Sequence, residues 1–153
     1  MDYVLNIIIP KKEIGNIDLN EKMIEWGGHL YSCEPPRYIT SSNIIFEQVE
    51  NVQYFSTVIG RDLGDDTVIL DLKSEILFDL EYGVNIDKER LKEDKLLTFL
   101  SGLFSLSRFF ILLAREDEKV KQRYRVEKEE DISVRLCNSL KRSDPTDILL
   151  YKE

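Results

Sequence analysis

The single histidine of the chain, His29, lies four residues before Cys33. An imidazole next to a thiol can remove its proton and create a nucleophile, which is the chemistry of a hydrolase or transferase. A zinc site would need three or four ligands, and Cys137 and scattered carboxylates are the remaining donors. A small hydrolase or transferase that uses His29 with Cys33 or a carboxylate is therefore one alternative. The reading we favour has no catalytic residue and no metal.

Acidic residues offer a different kind of chemistry, the recognition of a cationic partner. The first 87 residues carry 16 acidic and 6 basic side chains, whereas the remaining 66 carry 13 and 15. A local surplus of negative charge attracts basic proteins and repels nucleic acid and anionic lipid. We predict that a basic protein binds an acidic surface of this chain. Its predicted members are Asp62, Asp65, Asp66, Asp71, Glu75, Asp79 and Glu81.

Motifs for phosphates, nucleotides and calcium are missing. No Gly-Lys-Ser/Thr sequence follows any glycine, and the acidic loop at residues 60–66 lacks the alternating ligands and distal glutamate of a calcium loop. The one basic stretch, residues 119–128, is surrounded by acids that cancel most of its field at physiological salt. We therefore expect no cofactor and no nucleic-acid partner.

One apolar stretch, residues 96–114, approaches the length of a membrane span. Arg108 lies near its middle and four hydroxyl side chains interrupt it, which favours a helix followed by a buried strand. The N-terminus has no basic segment and no small-residue cleavage site, so we expect no signal peptide. Two distant cysteines suit a reducing compartment. We expect a cytoplasmic protein without a membrane partner.

The elements that position these residues follow from composition and periodicity. With 153 residues and 42% apolar side chains, the chain suits one domain over residues 1–153. Periodicity predicts strands over 3–9, 44–49, 52–59, 67–72, 76–82, 109–115, 120–126 and 148–151, and helices over 18–26, 87–107 and 129–142. The strands over 109–115 and 120–126 are expected to pair as a hairpin. We predict an α+β fold with a largely antiparallel sheet of about six to eight strands and roughly three helices packed on it.

Alternation along two predicted strands would gather the acids on one face of the sheet. Within residues 76–82 it assigns Phe78 and Tyr82 to the core and the intervening acids to solvent. Residues 67–72 follow the same pattern. The acids that this places together on the outer face are Asp71, Asp79 and Glu81. Aromatic residues nearby, such as Tyr82, Tyr54 or Phe55, would supply anchors for a partner.

In size, acidity, α+β pattern, richness in Ile, Lys and Asn, and lack of catalytic motifs, the chain resembles small acidic immunity proteins. These protect bacteria from nuclease toxins delivered by competitors, including those of contact-dependent growth inhibition. The resemblance implies a cytoplasmic inhibitor, monomeric or dimeric, that neutralises a cognate basic toxin by covering its active site or substrate groove. A structural adaptor that self-associates through apolar residues 96–113 is a further alternative.

Overall fold

A computed structural model describes residues 3–10, 29–31, 37–41, 44–64, 66–82, 84–93, 96–105, 108–115, 120, 122–140 and 148–152. The strands within these ranges are β1 (Tyr3–Pro10), β2 (His29–Tyr31), β3 (Arg37–Ser41), β4 (Ile44–Val49), β5 (Thr67–Ser74), β6 (Phe109–Arg115), β7 (Gln122–Arg125) and β8 (Ile148–Lys152). The helices are α1 (Val52–Ile59), α2 (Glu75–Glu81), α3 (Lys88–Glu93), α4 (Leu96–Leu103) and α5 (Glu129–Leu140). The α+β class predicted from the sequence is confirmed.

All eight described strands belong to one mixed sheet, in the order β2-β3-β4-β5-β1-β6-β8-β7. Six of the seven pairings between them are antiparallel, and β7 pairs with β8 in parallel. The predicted hairpin of β6 with β7 is wrong because β8 lies between these two strands. Parallel neighbours need a crossover connection, and α5 lies in the connection from β7 to β8.

The central strand β1 is apolar on both sides because the sheet is covered on both sides. Leu5, Ile7 and Ile9 point to what we call the major face, which packs against α2, α3, α4 and α5. Ile8 points to the minor face, where α1 packs. Among the described residues, the two faces therefore have separate apolar clusters, a large one under four helices and a smaller one under α1.

The major face contains most of the buried apolar side chains. The ring of Phe46 on β4 stacks on that of Phe99 on α4, with centroids 4.4 Å apart. Leu96, Leu100 and Leu103 are buried beside Phe99. The α4 residues considered above as a self-association surface are thus part of the core.

Residues 52–59 form helix α1, so the strand predicted there is wrong. Asn51 caps the helix N-terminus with its side-chain oxygen, and Gly60 ends it with a left-handed backbone (φ 81°). Phe55 and Ile59, one helical turn apart, are both buried against the minor face. The two caps outweigh the strand propensity of the β-branched and aromatic residues between them.

The strand predicted over residues 76–82 is also wrong, because β5 is followed directly by helix α2. The N–H of Ile76 donates a hydrogen bond of 3.1 Å to the Ser74 hydroxyl, which caps the first turn. Ile76 and Leu77 are consecutive and both buried, as suits one side of a helix. Phe78 and Tyr82, assigned to the core by alternation, are exposed to solvent instead.

The helix predicted over 87–107 is represented by two helices, α3 and α4. The first of these, α3, is capped as expected by Asp87, whose carboxylate accepts a 3.0 Å hydrogen bond from the N–H of Arg90. Helix α5 confirms the helix predicted over 129–142, whereas the helix predicted over 18–26 lies outside the described residues. The described helices number five rather than three. None of them has both the length and the apolar character needed to cross a membrane.

Candidate functional site

Exposed aromatic side chains mark one end of the major face. Phe78 on α2 is 58% exposed, and Tyr82, which follows the helix, is 73% exposed. Their ring centroids are 4.9 Å apart, as expected for residues one helical turn apart. Val84 extends the same stretch and is also exposed. Large apolar side chains grouped in this way on a surface are typical of an interaction site.

The charge around these rings is negative. Residues 75–87 contain four carboxylates and neither lysine nor arginine. Asp79 forms an ion pair with Arg90 on α3, with Oδ2 and Nη1 2.5 Å apart, so part of this charge is compensated within the molecule. Glu75 and Asp87 are exposed at the two ends of the segment. We refer to Glu75, Phe78, Tyr82, Val84 and Asp87 as the α2 surface.

The acids predicted to form one sheet surface are divided among three places. Glu75, Asp79 and Glu81 belong to α2, whereas Asp71 lies on β5 and faces the minor side of the sheet. Asp62 and Asp66 are exposed in the connection before β5, at the opposite end of a strand that spans roughly 23 Å. Asp65 lies outside the described residues. The single acidic face was wrongly predicted because residues 75–81 form a helix and are not a strand of the sheet.

Asp71 belongs to a polar ladder across the minor face. The Nε of Arg37 lies 2.9 Å from the Oε2 of Glu47, and Glu47 lies opposite Asp71 in the strand register. The Nζ of Lys73 lies 2.9 Å from the Oδ2 of Asp71 and completes the ladder. The hydrogen bond to Asp71 is the main reason why the pKa of Lys73 is raised. Most of the charge in this ladder is therefore compensated within the sheet.

A groove of about 820 Å³ opens beside the ladder. It lies where β1 begins and β5 ends, between the start of α1 and the side of α2. Its lining combines aromatic, carboxylate, amide and ammonium groups. They include Tyr3, Asn6, Tyr54, Phe55, Asp71, Lys73 and Phe78. Because Phe78 also belongs to the α2 surface, the groove and that surface are continuous.

The groove was not predicted from the sequence, although one residue signalled it. Asn6 is a polar residue within an apolar run of β1, and its side chain is buried on the minor face opposite Asp71. A polar side chain in a central strand needs a partner, so it marks a place where the core is interrupted. Tyr54 and Phe55, two of the aromatic anchors predicted from the sequence, both line this groove.

The residues considered for catalysis are not assembled in the described structure. His29 begins the edge strand β2, where it lies opposite Ile39, and Cys33 lies outside the described residues. Within the described ranges no group of three or more His, Cys, Asp and Glu side chains is arranged to hold a metal ion. Cys137, the remaining thiol, is buried in the major-face core.

Two residues of the basic stretch 119–128, Arg123 and Tyr124, make contacts that stabilise the fold. Arg123 on β7 donates a 2.6 Å hydrogen bond from Nη1 to the carbonyl of Ile59, at the end of α1. The guanidinium of Arg135 on α5 lies 4.1 Å from the ring centroid of Tyr124 on β7. A cation at a helix C-terminus and a cation over an aromatic ring both stabilise the folded chain.

Comparisons of the chain with protein families, with curated proteins and with solved structures found no match. The function is therefore inferred from the α2 surface and the groove themselves.

Proposed function

We propose that this chain is an immunity-type protein of the cytoplasm, which binds a basic toxin domain, such as a nuclease, and neutralises it. The binding site in this proposal is the α2 surface. The observation that supports it most is the pair of adjacent, solvent-exposed rings of Phe78 and Tyr82 within a segment that has four carboxylates and no cation.

The aromatic residues would supply most of the binding free energy. Interface residues whose truncation costs most are aromatic, lie near the centre of the contact and become fully desolvated. Phe78 and Tyr82 already have their rings in contact, so little side-chain entropy is lost when a partner covers them. Val84 adds apolar area at the margin.

The carboxylates would raise the rate of association and favour partners of positive charge. Exposed charges at the rim of an interface steer a partner of opposite charge and raise the association rate, more strongly at low salt. Glu75 and Asp87 flank the two aromatic residues in the sequence, and both are exposed. Asp79 would have a structural role instead. Its ion pair with Arg90 joins α2 to α3 and would help to hold the helix that carries the Phe78 ring.

Inhibition follows from the chemistry of the partner. A nuclease binds the phosphates of its substrate through lysine and arginine side chains. Carboxylates presented on α2 would pair with the same cations, and the aromatic residues would exclude water from the contact. The substrate and the immunity protein would then compete for one surface.

The proposal is tested by measuring affinity for a basic domain encoded by the gene next to that of this chain. The double variant Phe78→Ala/Tyr82→Ala is expected to bind at least about a hundredfold more weakly. Val134→Ala is the matched control, because Val134 is 54% exposed and belongs to a different helix, α5. Equal affinities of the double variant and the control would contradict the proposal.

Charge is tested separately. Glu75→Lys/Asp87→Lys is expected to slow association and to weaken its dependence on salt. Asp62→Lys/Asp66→Lys changes the net charge equally at two exposed positions before β5, at the opposite end of that strand from α2. If both double variants change the association rate alike, only net charge matters and the α2 surface is not the steering site.

A further inference from the structure

Asn6 has an incomplete set of hydrogen bonds. Its side chain is 4% exposed in the middle of the sheet. Within the described part of the chain it makes one hydrogen bond, a long one of 3.4 Å from Nδ2 to the Oδ1 of Asp71. No donor among the described residues is paired with its side-chain oxygen Oδ1, although nearly all buried polar groups in proteins are paired. Asn6 is one of the residues that line the groove.

Asp71 supplies further acceptor positions beside that oxygen. Its side chain is 19% exposed and accepts from Asn6 at one oxygen and from Lys73 at the other. A carboxylate has about four acceptor positions, and the described residues occupy two of them. The polar part of the groove therefore calls for a group that donates several hydrogen bonds and carries positive charge.

The walls of the groove suit a flat cation. Tyr54 at the start of α1 is 42% exposed, and Phe78 of α2 lines the groove as well. A guanidinium is planar, has five N–H donors and stacks on aromatic rings. An ammonium has three donors around a single point and cannot stack in this way.

Charge at the margins of the groove favours the same ligand. Glu50 and Glu75 are each adjacent in sequence to a lining residue, Asn51 and Ser74, and both acids are exposed. Lys73 is the cation of the lining, and it is already held by Asp71. An anionic ligand would meet these carboxylates, whereas a cationic ligand would be attracted to them.

We propose that the groove binds an arginine side chain of the basic partner, with Asp71 and the Asn6 carbonyl as acceptors and Tyr54 and Phe78 as walls. In the unbound protein, Lys73 occupies the Asp71 carboxylate in place of that arginine. This inference rests on the proposed function and specifies one contact of it. It adds to the α2 surface a pocket that selects one residue type.

The test uses the isolated wild-type protein and small probes followed by NMR. N-acetyl-arginine methylamide is expected to shift the side-chain amide signals of Asn6 with a dissociation constant in the millimolar range. The citrulline analogue keeps the shape and lacks the charge, and it is expected to cause no such shift. Equal effects of the two probes, or arginine shifts that leave Asn6 and Tyr54 unaffected, would overturn the inference.

Two variants sharpen the test. Asp71→Asn is expected to weaken arginine binding about tenfold, because a charged acceptor is lost. Lys73→Met removes the competing cation and is expected to strengthen binding severalfold, an effect that damage to the fold would not produce. Glu130→Gln removes an exposed carboxylate on α5 and is expected to leave binding unchanged. Arginine binding that is insensitive to both groove variants would also overturn the inference.

The outcome separates this inference from the proposed function. If the arginine probe fails while Phe78→Ala/Tyr82→Ala still weakens the partner complex, the groove assignment is wrong and the α2 surface stands. If the probe binds through Asp71 while the toxin domain does not bind, the groove assignment stands and the proposed partner is wrong.

Discussion

The two faces of the sheet differ in how many of the described helices pack on them. Four of these helices close the major face over a continuous apolar core, whereas α1 is the one helix of the described ranges that packs on the minor face. Where α1 begins, the minor face has a buried Asn6 and a charged ladder in place of apolar side chains. Stability should therefore depend mainly on the major face, and recognition on the places where helical cover ends.

The largest expected effect is on the major face. Phe99→Ala removes a fully buried ring that stacks on Phe46, and we expect it to lower the free energy of unfolding by about 4 kcal/mol. Urea denaturation followed by circular dichroism measures this change. A loss below about 1 kcal/mol would mean that the two rings are not part of a close-packed core.

The next effect separates binding from stability. Tyr82→Ala truncates an exposed ring, so we expect the free energy of unfolding to change by less than about 0.5 kcal/mol. Binding of the basic partner should weaken by about 2 kcal/mol. Urea denaturation and calorimetric titration of the same sample measure the two quantities. A variant that is strongly destabilised would show that Tyr82 belongs to the core.

A smaller effect concerns α1, which packs on the minor face. Gly60 ends α1 with φ 81°, and an added Cβ would meet its nearest atom, the Arg123 Nη2, at an ordinary 3.9 Å. Gly60→Ala should therefore cost only the backbone strain of about 1 kcal/mol. Gly60→Asn is the matched control, since asparagine adopts this conformation more readily, and should cost less. Equal stability of the glycine and alanine proteins would contradict this account of the cap.

The smallest effect is expected at the solvent-exposed start of α5. The N–H groups of Lys128 and Glu127 donate to the Asp131 carboxylate at 2.9 and 3.1 Å, and they lower its pKa. A lowered pKa stabilises the folded state above the ordinary carboxyl pKa, and this contribution is lost as the pH falls through the lowered value. Asp131→Asn should therefore be slightly less stable than wild type at neutral pH and equally stable in acid.

Urea denaturation of the Asp131→Asn and wild-type proteins at both pH values measures this difference. Glu130→Gln, at the exposed neighbouring position, is the control for loss of one negative charge. A difference between Asp131→Asn and wild type that persists unchanged in acid would exclude the carboxylate charge as its cause.

The sequence predicted best the elements with a single strong signal. The continuous apolar runs of β1 and β6 gave nearly correct bounds, because strands covered on both faces have no polar alternation to confuse them. Helix α5 was predicted from apolar residues four positions apart. Local sequence was sufficient for these three elements, since each has one kind of pattern over its whole length.

The failures were short segments in which strand and helix periods both fit. In α1 the caps Asn51 and Gly60 were the better evidence, and they are readable in the sequence. In α2 the adjacent apolar residues Ile76 and Leu77 fit a helix, whereas the alternation of apolar and acidic residues over 76–82 fits a strand. That error also placed Asp79 and Glu81 on the sheet, so the predicted acidic face failed with it.

The groove could not be predicted by local patterns. It depends on β1 and β5 being neighbours in antiparallel register, which places Asn6 beside Asp71 although 65 residues separate them. Strand order depends on tertiary packing, and the alternation of residues within one strand does not specify it. The polar residue in β1 was visible in the sequence, but its partner was not.

The most direct test of the central claim is amide hydrogen exchange of the chain, alone and in complex with its basic partner. A partner seated on the α2 surface should slow exchange within residues 75–87 and leave the exchange of α5 unchanged. Slowed exchange at α5 or β7, with none in residues 75–87, would contradict the account.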